Sequence, residues 1–357
     1  MKRLWGKRLW RLGLAVVVLL AVFVGYTVWL AGEFKSLEPH FAGQCKQIDG
    51  VVGTEDITIH PETGVAYISS DDRRATMAGT PTQGGIWAYD LKNPDAQPVD
   101  LTPDLGFPFH PHGIGLLADG AGGELMAVNH RGGGVFGAVE DTIEVFAVEG
   151  ASLRHIRTVK SDLLISVNDV VPSGGGRFYA SIDHGNPSGF MRTLEDYARL
   201  PLAHVVYYDT VRFRKFADGI RYANGINLSR DRSRLYVAGS TDRAIHVYDR
   251  TDVNGFLIAK GKIDVGTGVD NIELDASGNL WIGAHPKLLT FVEHSKDAAK
   301  LSPSQVLRVD PTTGEVEEIF LSDGTDLSGS SVAAKFGRRL LIGAVMDSKF
   351  LDCLLPE

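Results

Sequence analysis

Six short polar groups recur along the chain: Glu55-Asp56, His112, Asn168-Asp169, Asn224, Asp270-Asn271 and Ser330-Ser331. Five of their members, Glu55, Asn168, Asn224, Asp270 and Asn271, offer two carboxylates and three amide oxygens. Oxygen donors alone, and several of them, suit a hard cation with a high coordination number, which points to Ca2+ rather than zinc. Mg2+ would take fewer protein ligands and more water. The neighbouring Asp56 and Asp169 face the other way along their strands and are expected to hold a second, more buried ion. Taken singly, each of these residues reads as a turn cap or a satisfied strand end. Their placement at equivalent points of a repeat is what argues for a common site.

A Ca2+ ion bound there is a Lewis acid for a carbonyl or phosphoryl oxygen, and water attack then needs a general base. His112 belongs to the polar groups, and His130 ends the next strand of the same unit, within side-chain reach of it. Histidine titrates in the right range for this task. His184 and His285 end the corresponding strands of two other units and either contact a substrate or line the site. No G-x-S-x-G, H-E-x-x-H or phosphate-binding glycine loop occurs.

The element that must position these residues is a repeat. Strands begin at Val65 (VAYIS), Leu125 (LMAVN), Phe178 (FYASI), Leu235 (LYVAG), Leu280 (LWIGA) and Leu340 (LLIGA), with spacings of 60, 53, 57, 45 and 60 residues. Each polar group stands shortly before one of them. The stretch Asn224 to Asp249 shows the unit most fully: a polar head, a short apolar strand, a charged turn, LYVAG, and the alternating strand Ala244 to Tyr248. Six such units predict an all-β, six-bladed β-propeller, whose innermost strands bring the six heads to one axis. Between the strands, Asp71 to Gly85, Arg131 to Ala138 and Lys287 to Ser304 read as loops. Met191 to Leu202 lacks strand alternation and is expected to form a short helix or lid.

The chain has 357 residues and a formal net charge of -8. Residues 1–11 carry five cations and no acid, so the remainder stands at -13 (-8 less those five). An acidic body argues against nucleic-acid binding and agrees with bound cations. From Leu12 to Gly32 there is no charged residue, and this run is long enough to cross a membrane. Trp5, Trp10, Tyr26 and Trp29 lie near its ends. The division expected is a basic cytoplasmic flank at 1–11, a membrane anchor at 12–32, and a propeller at 33–357 held outside the cytoplasm, whether periplasmic, lumenal or extracellular. A cleaved signal peptide is the competing reading. In an exported protein Cys45 and Cys353 can form a bridge joining the two chain ends where the ring closes; two unrelated buried thiols are the other possibility.

The same residues carry a resemblance to the serum paraoxonase/arylesterase family. The matching pieces are GTEDITI (53–59), PHGIG (111–115), VNH (128–130), SVNDVV (166–171), FYASIDH (178–184), ANGINLS (223–229), IHVYDR (245–250), VDNIELDASGNLWIGAHP (269–286) and GSSVAAKFGRRLLIGAV (329–345). They run in order across most of the chain. The resemblance implies a propeller with two calcium ions, a ring-closing disulfide and hydrolysis of lactones and aryl esters, with phosphotriesterase activity in some members. It implies a catalytic calcium on Glu55, Asn168, Asn224, Asp270 and Asn271, and a structural one on Asp56, Asp169 and the backbone carbonyl of Ile114. His112 and His130 match a base dyad, and Asp270 is a second candidate for the base. His184, Tyr222, His285, Phe291, Ser331 and Val345 are the candidates to line the substrate site. The loop Asp71 to Gly85 and the Gly132–Gly134 loop depart from the family and leave the acyl preference open.

The expected function is calcium-dependent hydrolysis of lactones and aryl esters at a membrane-anchored propeller. A sugar-lactone hydrolase of the gluconolactonase type is the second enzyme reading, kept open by Arg73-Arg74 as pocket contacts. A non-enzymatic binding propeller with structural calcium is the third, since the fold hosts many functions.

Overall fold

The computed structural model describes residues 2–131, 140–150, 152–251 and 254–356. Its strands form six antiparallel sheets, each built outward in sequence order from an innermost strand, except that His40–Phe41 and Gln44–Asp49 from the N-terminal side add the outermost strands of the last two blades. The innermost strands are Ile57–Ile59, Pro111–Asp119, Val167–Gly174, Ala223–Leu228, Gly268–Leu274 and Ser330–Phe336. The strands picked out by the repeat are the second of each blade: Val65–Ser70, Gly122–Arg131, Arg177–Ile182, Arg234–Gly239, Leu280–His285 and Arg339–Ala344. The six-bladed propeller expected from the spacing is therefore the fold. The glycines expected to loop after Arg131 lie outside the described residues.

Apolar residues close the gaps between blades. Ile57, Ile68 and Tyr89 of the first blade pack on Val332, Leu341 and Phe350 of the last. Met126 and Val145 meet Phe178 and Val206 across the next-but-one gap, and similar clusters fill the others. Alternation along each strand sends these side chains into the gaps, where their removal from water drives closure. The ring is fastened by Gln44–Asp49, which pairs with Lys349–Leu354 as the outer strand of the last blade. Cys45 lies directly opposite Cys353, and the two form the disulfide expected of them.

Only in the first blade does the polar head, Glu55-Asp56, precede the innermost strand, Ile57–Ile59. In four blades the heads lie inside the innermost strands, at register shifts between Pro111 and Ile114, Val167 and Val170, Ala223 and Ile226, and Val269 and Ile272. The last blade has its shift between Ser330 and Val332. A bulge leaves residues unpaired and re-aims their side chains. That is why consecutive residues such as Asp270 and Asn271 both serve the channel, where strict alternation would turn one away. Gly113 and Gly225 occupy two of these bulges because the next innermost strand passes too close for a side chain. A Cβ at Gly113 would lie 2.5 Å from Asp169 Cα, and one at Gly225 would lie 2.5 Å from Asn271 Cα.

Four helices complete the described structure: α1 (Lys2–Leu30), α2 (Arg73–Met77), α3 (Gly189–Ala198) and α4 (Leu288–Lys296). The part of α1 from Trp10 to Leu30 is apolar and long enough to cross a membrane, and its apolar run is not buried in the propeller. The helix includes the basic flank and stops at Leu30, before the Gly32 boundary read from composition. Helix α3 falls where a short helix or lid was expected. Helices α2 and α4 correct two loop readings. In α2 the Asp72 carboxylate accepts from Ala75 N at 2.9 Å and caps a single turn. In α4 the cap comes from far away in sequence. Glu33 Oε1 accepts from Leu289 N at 2.8 Å and from Thr290 N at 3.1 Å. Its other oxygen accepts from Thr290 Oγ1 at 2.7 Å. The first turn of a helix leaves such N–H groups without partners, and an anion satisfies them best. Nothing in Lys287 to Ser304 itself announces this.

Candidate metal centre

Asn168, Asn224, Asp270 and Asn271 stand at the bulges of three innermost strands and Glu55 heads a fourth, and none of the five is more than 6% exposed. Two of the three amides are oriented through their nitrogens. Asn271 Nδ2 donates to Glu55 O at 3.0 Å and Glu55 Oε1 at 2.7 Å, and Asn224 Nδ2 donates to Ser240 Oγ at 3.2 Å. The oxygens are left over: Glu55 Oε2, Asn168 Oδ1, Asn224 Oδ1 and Asn271 Oδ1 are buried without a hydrogen-bond partner. A buried polar atom with no partner is rare and costly. Four from one ring are accounted for together by a bound cation, and neutral amide oxygens with carboxylates are the donors of a calcium site. Among the described residues no three His, Cys, Asp or Glu side chains converge as a metal cluster. The ring has only two carboxylates, and its remaining donors are amides.

The charge balance points the same way. Burial, and then the neighbouring Asp270, raise the Glu55 carboxyl to about 8. Asp56 and Asp169 are driven well above the usual carboxylate range, first by burial and then by other carboxylates. A divalent ion is what would let them ionise. These two aspartates lie one step further along the channel, and their oxygens are satisfied. Asp56 accepts from Ile57 N at 2.9 Å and Ile114 N at 2.7 Å; Asp169 accepts from Val170 N at 2.6 Å and Ile226 N at 2.8 Å. Ile114 thus touches Asp56 through its N–H, while the sequence reading used its carbonyl. Further on, Glu273 meets Thr58 Oγ1 at 3.3 Å and Asn227 Nδ2 at 3.4 Å. This third acidic level was missed, although Glu273 follows Asp270 by three residues on the same innermost strand.

His112 and His130 do meet, with ring centroids 5.1 Å apart. His112 Nε2 is 3.7 Å from Glu55 Oε1. Burial, then Arg73 and His130, push the His112 imidazole well below its ordinary value, so it is neutral. His130 Nδ1 lies 2.8 Å from Asp141 Oδ1, and its Nε2 is buried without a partner. Asp141 is the cross-strand neighbour of His130. The sequence reading missed it because a glycine-rich connection separates the two. His110, paired with Asp71 Oδ1 at 2.9 Å, was missed as well.

The lining candidates fall into two groups. His285 and Phe291 stack with centroids 3.9 Å apart, and His285 Nε2 is 2.8 Å from Asp270 Oδ2. His184 bridges Asp183 and Asp196, each at 2.6 Å, and packs edge-on against Tyr222 at 5.0 Å. Burial alone would lower His184, but the Asp183 charge and both hydrogen bonds raise it to about 9. Its imidazolium ties blade three to α3. Ser331 and Val345 are turned to other tasks. The Ser331 hydroxyl donates to Glu55 O at 2.6 Å, and Val345 O accepts from Arg73 Nη1 at 3.2 Å.

Arg73 and Arg74 correct the reading that set them in an open pocket. Arg73 is 3% exposed, and its terminal nitrogens are held by carbonyls and His112. Arg74 donates to Met346 O at 2.9 Å and His294 O at 2.7 Å. Neither guanidinium is free for sugar hydroxyls. Arg192 of α3 does line the small cavity beside His112 and His130, with Ser166 and Asp183.

A family model described as Arylesterase matches residues 33–355. The chain is 36% identical over 317 residues to serum paraoxonase/arylesterase 2 of Rattus norvegicus, covering 84% of this chain and 86% of that protein. It is 34% identical to serum paraoxonase/lactonase 3 of Oryctolagus cuniculus, covering 91% and 92%. Among solved structures, a gluconolactonase from Xanthomonas campestris shares the fold with a TM-score of 0.57 at 15% identity, covering 90% of this chain and 96% of that one.

Proposed function

The chain belongs to the arylesterase family, and from that premise we propose that its channel end is a calcium-dependent hydrolytic site for lactones and aryl esters. The observation that carries this is the set of four orphaned buried oxygens in a ring of two carboxylates and three amides. Glu55, Asn168, Asn224, Asp270 and Asn271 would hold the catalytic ion. Asp56, Asp169 and the Ile114 carbonyl would hold a structural one. When bound, calcium supplies a positive centre for the carbonyl oxygen of the ester and for the oxyanion that follows. The chain supplies the rest. His285 fixes Asp270 in orientation through the 2.8 Å contact, Phe291 covers that pair, and the His112–His130 pair or Asp270 takes the proton of the attacking water.

The fold agrees with a sugar-lactone hydrolase equally well, but the two arginines that favoured it are engaged in structure, Arg73 buried and Arg74 half-buried. The domain is also fastened to its anchor. Ala31 O accepts from Leu288 N at 2.9 Å, and Lys35 Nζ donates to Gly266 O at 2.9 Å. With the Glu33 cap, these contacts hold the end of α1 against the rim that carries Phe291. With the basic flank on the cytoplasmic side, this rim would lie at the extracytoplasmic membrane surface.

The test is hydrolysis of phenyl acetate and of aliphatic and sugar lactones by the full chain in detergent. Each assay is run with calcium, with chelator, and with calcium restored. Turnover that vanishes and returns with calcium supports the reading, and the lactone ranking separates the two enzyme versions. A folded, calcium-binding protein with no turnover on the whole panel would favour the binding propeller.

A further inference from the structure

Arg73 touches the histidine pair in a way that fixes which imidazole can take a proton. It stands on the single turn of α2, 3% exposed. Nη1 donates to Gly53 O at 3.1 Å, Asp71 O at 3.3 Å and Val345 O at 3.2 Å. Nη2 donates to Pro111 O at 3.0 Å and meets His112 Nδ1 at 3.1 Å. A guanidinium has donors only. The lone pair in that last bond therefore belongs to His112 Nδ1, and the neutral imidazole carries its hydrogen on Nε2.

His130 is held the opposite way. Its Nδ1 faces Asp141 Oδ1 at 2.8 Å. The other oxygen of Asp141 accepts from Val167 N at 2.7 Å, and a backbone N–H can only donate. An ionised carboxylate accepts at both oxygens, and with Asp141 in that form His130 carries its hydrogen on Nδ1. Its lone pair is at Nε2, which is buried with no partner, in a residue that lines the cavity shared with His112, Ser166, Asp183 and Arg192.

We propose that Arg73 is a positioning residue that locks His112 as an Nε2–H donor, which leaves His130 Nε2 as the one imidazole nitrogen of the pair free to accept a proton. The catalytic half of this statement rests on the hydrolase reading; the tautomers do not. In the hydrolytic step a water in the cavity gives one proton to His130 Nε2, and its oxygen bonds to the ester carbonyl carbon. The tetrahedral adduct then breaks its bond to the alcohol or phenol oxygen, and the proton on His130 passes to that leaving group. His130 ends neutral, with Nδ1–H still on Asp141. His112 takes no proton in this sequence. It presents Nε2–H to the reacting oxygens and keeps its place through Arg73.

The test uses the full chain in detergent, calcium-loaded and labelled with 15N-histidine, with His112→Gln and His130→Gln to assign the signals. The expected spectrum has a pyridine-type Nδ1 and a pyrrole-type Nε2 for His112, and the reverse for His130. Arg73→Met should blur the His112 pattern and leave that of His130. With phenyl acetate, Arg73→Met should lower kcat about tenfold with KM within about twofold, and Arg73→Lys, which restores a donor, should recover part of it. His130→Gln should lower kcat about 10²-fold, while His112→Gln, whose amide still donates, should keep more than a tenth. A pyrrole-type Nδ1 on His112, or a reversed order of the two glutamine variants, overturns the proposal. Should Arg73→Met fail to fold, the wild-type spectrum decides. Should the wild type hydrolyse no ester, the hydrolase reading fails, and the same spectrum still decides the role of Arg73.

Discussion

The ring and the inner pair lie one residue apart in sequence, Glu55 beside Asp56 and Asn168 beside Asp169, yet their oxygens meet different partners. The ring leaves four oxygens without any hydrogen bond. The inner aspartates receive two backbone N–H groups each, from four different residues on four innermost strands. A ligand that has no other partner can follow an ion and a substrate. A carboxylate knitted into the backbone of neighbouring blades holds the ring of blades together. On the proposed reading the first layer would do chemistry and the second would give cohesion, and each can be tested against the other.

Asp270→Ala should have the largest effect. It removes a ring carboxylate and the partner of His285, and kcat for phenyl acetate should fall by about 10²–10³-fold, the scale of losing one stabilising group at a developing charge. The melting temperature with calcium present should change little. Activity above a tenth of wild type would remove Asp270 from the site.

Asp169→Ala should do the opposite. It strands two buried N–H groups, at about 1–3 kcal/mol each, so chemical denaturation of the calcium-loaded chain should show a loss of about 3 kcal/mol. In chelator the loss should shrink, because burial alone already penalises this carboxylate. Equal losses with and without calcium would break the distinction between the layers.

The third prediction concerns protons. Without metal the Glu55 carboxyl titrates near 8, raised from an ordinary 4.5. A raised carboxyl means that the folded state holds a proton the unfolded state has lost. Its stabilising contribution to the metal-free fold is therefore complete below pH 4.5, and it drains away as the pH rises to about 8. Calcium must displace that proton. Affinity measured by titration calorimetry should rise with pH up to about 8 and then level off. An affinity that is flat across this interval would mean that Glu55 does not bind the ion.

How much of this was legible in the sequence follows from where each constraint lies. The equivalence of Asn168, Asn224 and Asp270 was legible because a propeller repeats, and all three fall at the bulges of innermost strands. The bulges were not, since no glycine or turn residue separates Asp270 from Asn271; only the pairing of Val269 and Ile272 with the next strand reveals them. Arg73 reads as a pocket contact in a polar loop. Carbonyls of Gly53, Pro111 and Val345, from well-separated parts of the chain, make it a buried donor. Asp141 finds His130 only through strand pairing.

Glu33 is the furthest case of the same kind, and it gives the smallest predicted effect. Its carboxylate caps α4 from just beyond the end of α1. A lost cap costs about 1 kcal/mol, so Glu33→Ala should speed hydrogen exchange at the Leu289 and Thr290 amides by about fivefold. The melting temperature of the whole domain should hardly move, because six blades and a disulfide remain. Phe291 rides on α4 and stacks on His285, so KM for bulky esters should rise a few-fold while calcium affinity stays put. A tenfold or larger fall in calcium affinity would mean that the rim and the ring form one unit. The influence of α1 would then reach the metal site itself, and the division of labour argued for the channel would have to include the N-terminal end of the chain.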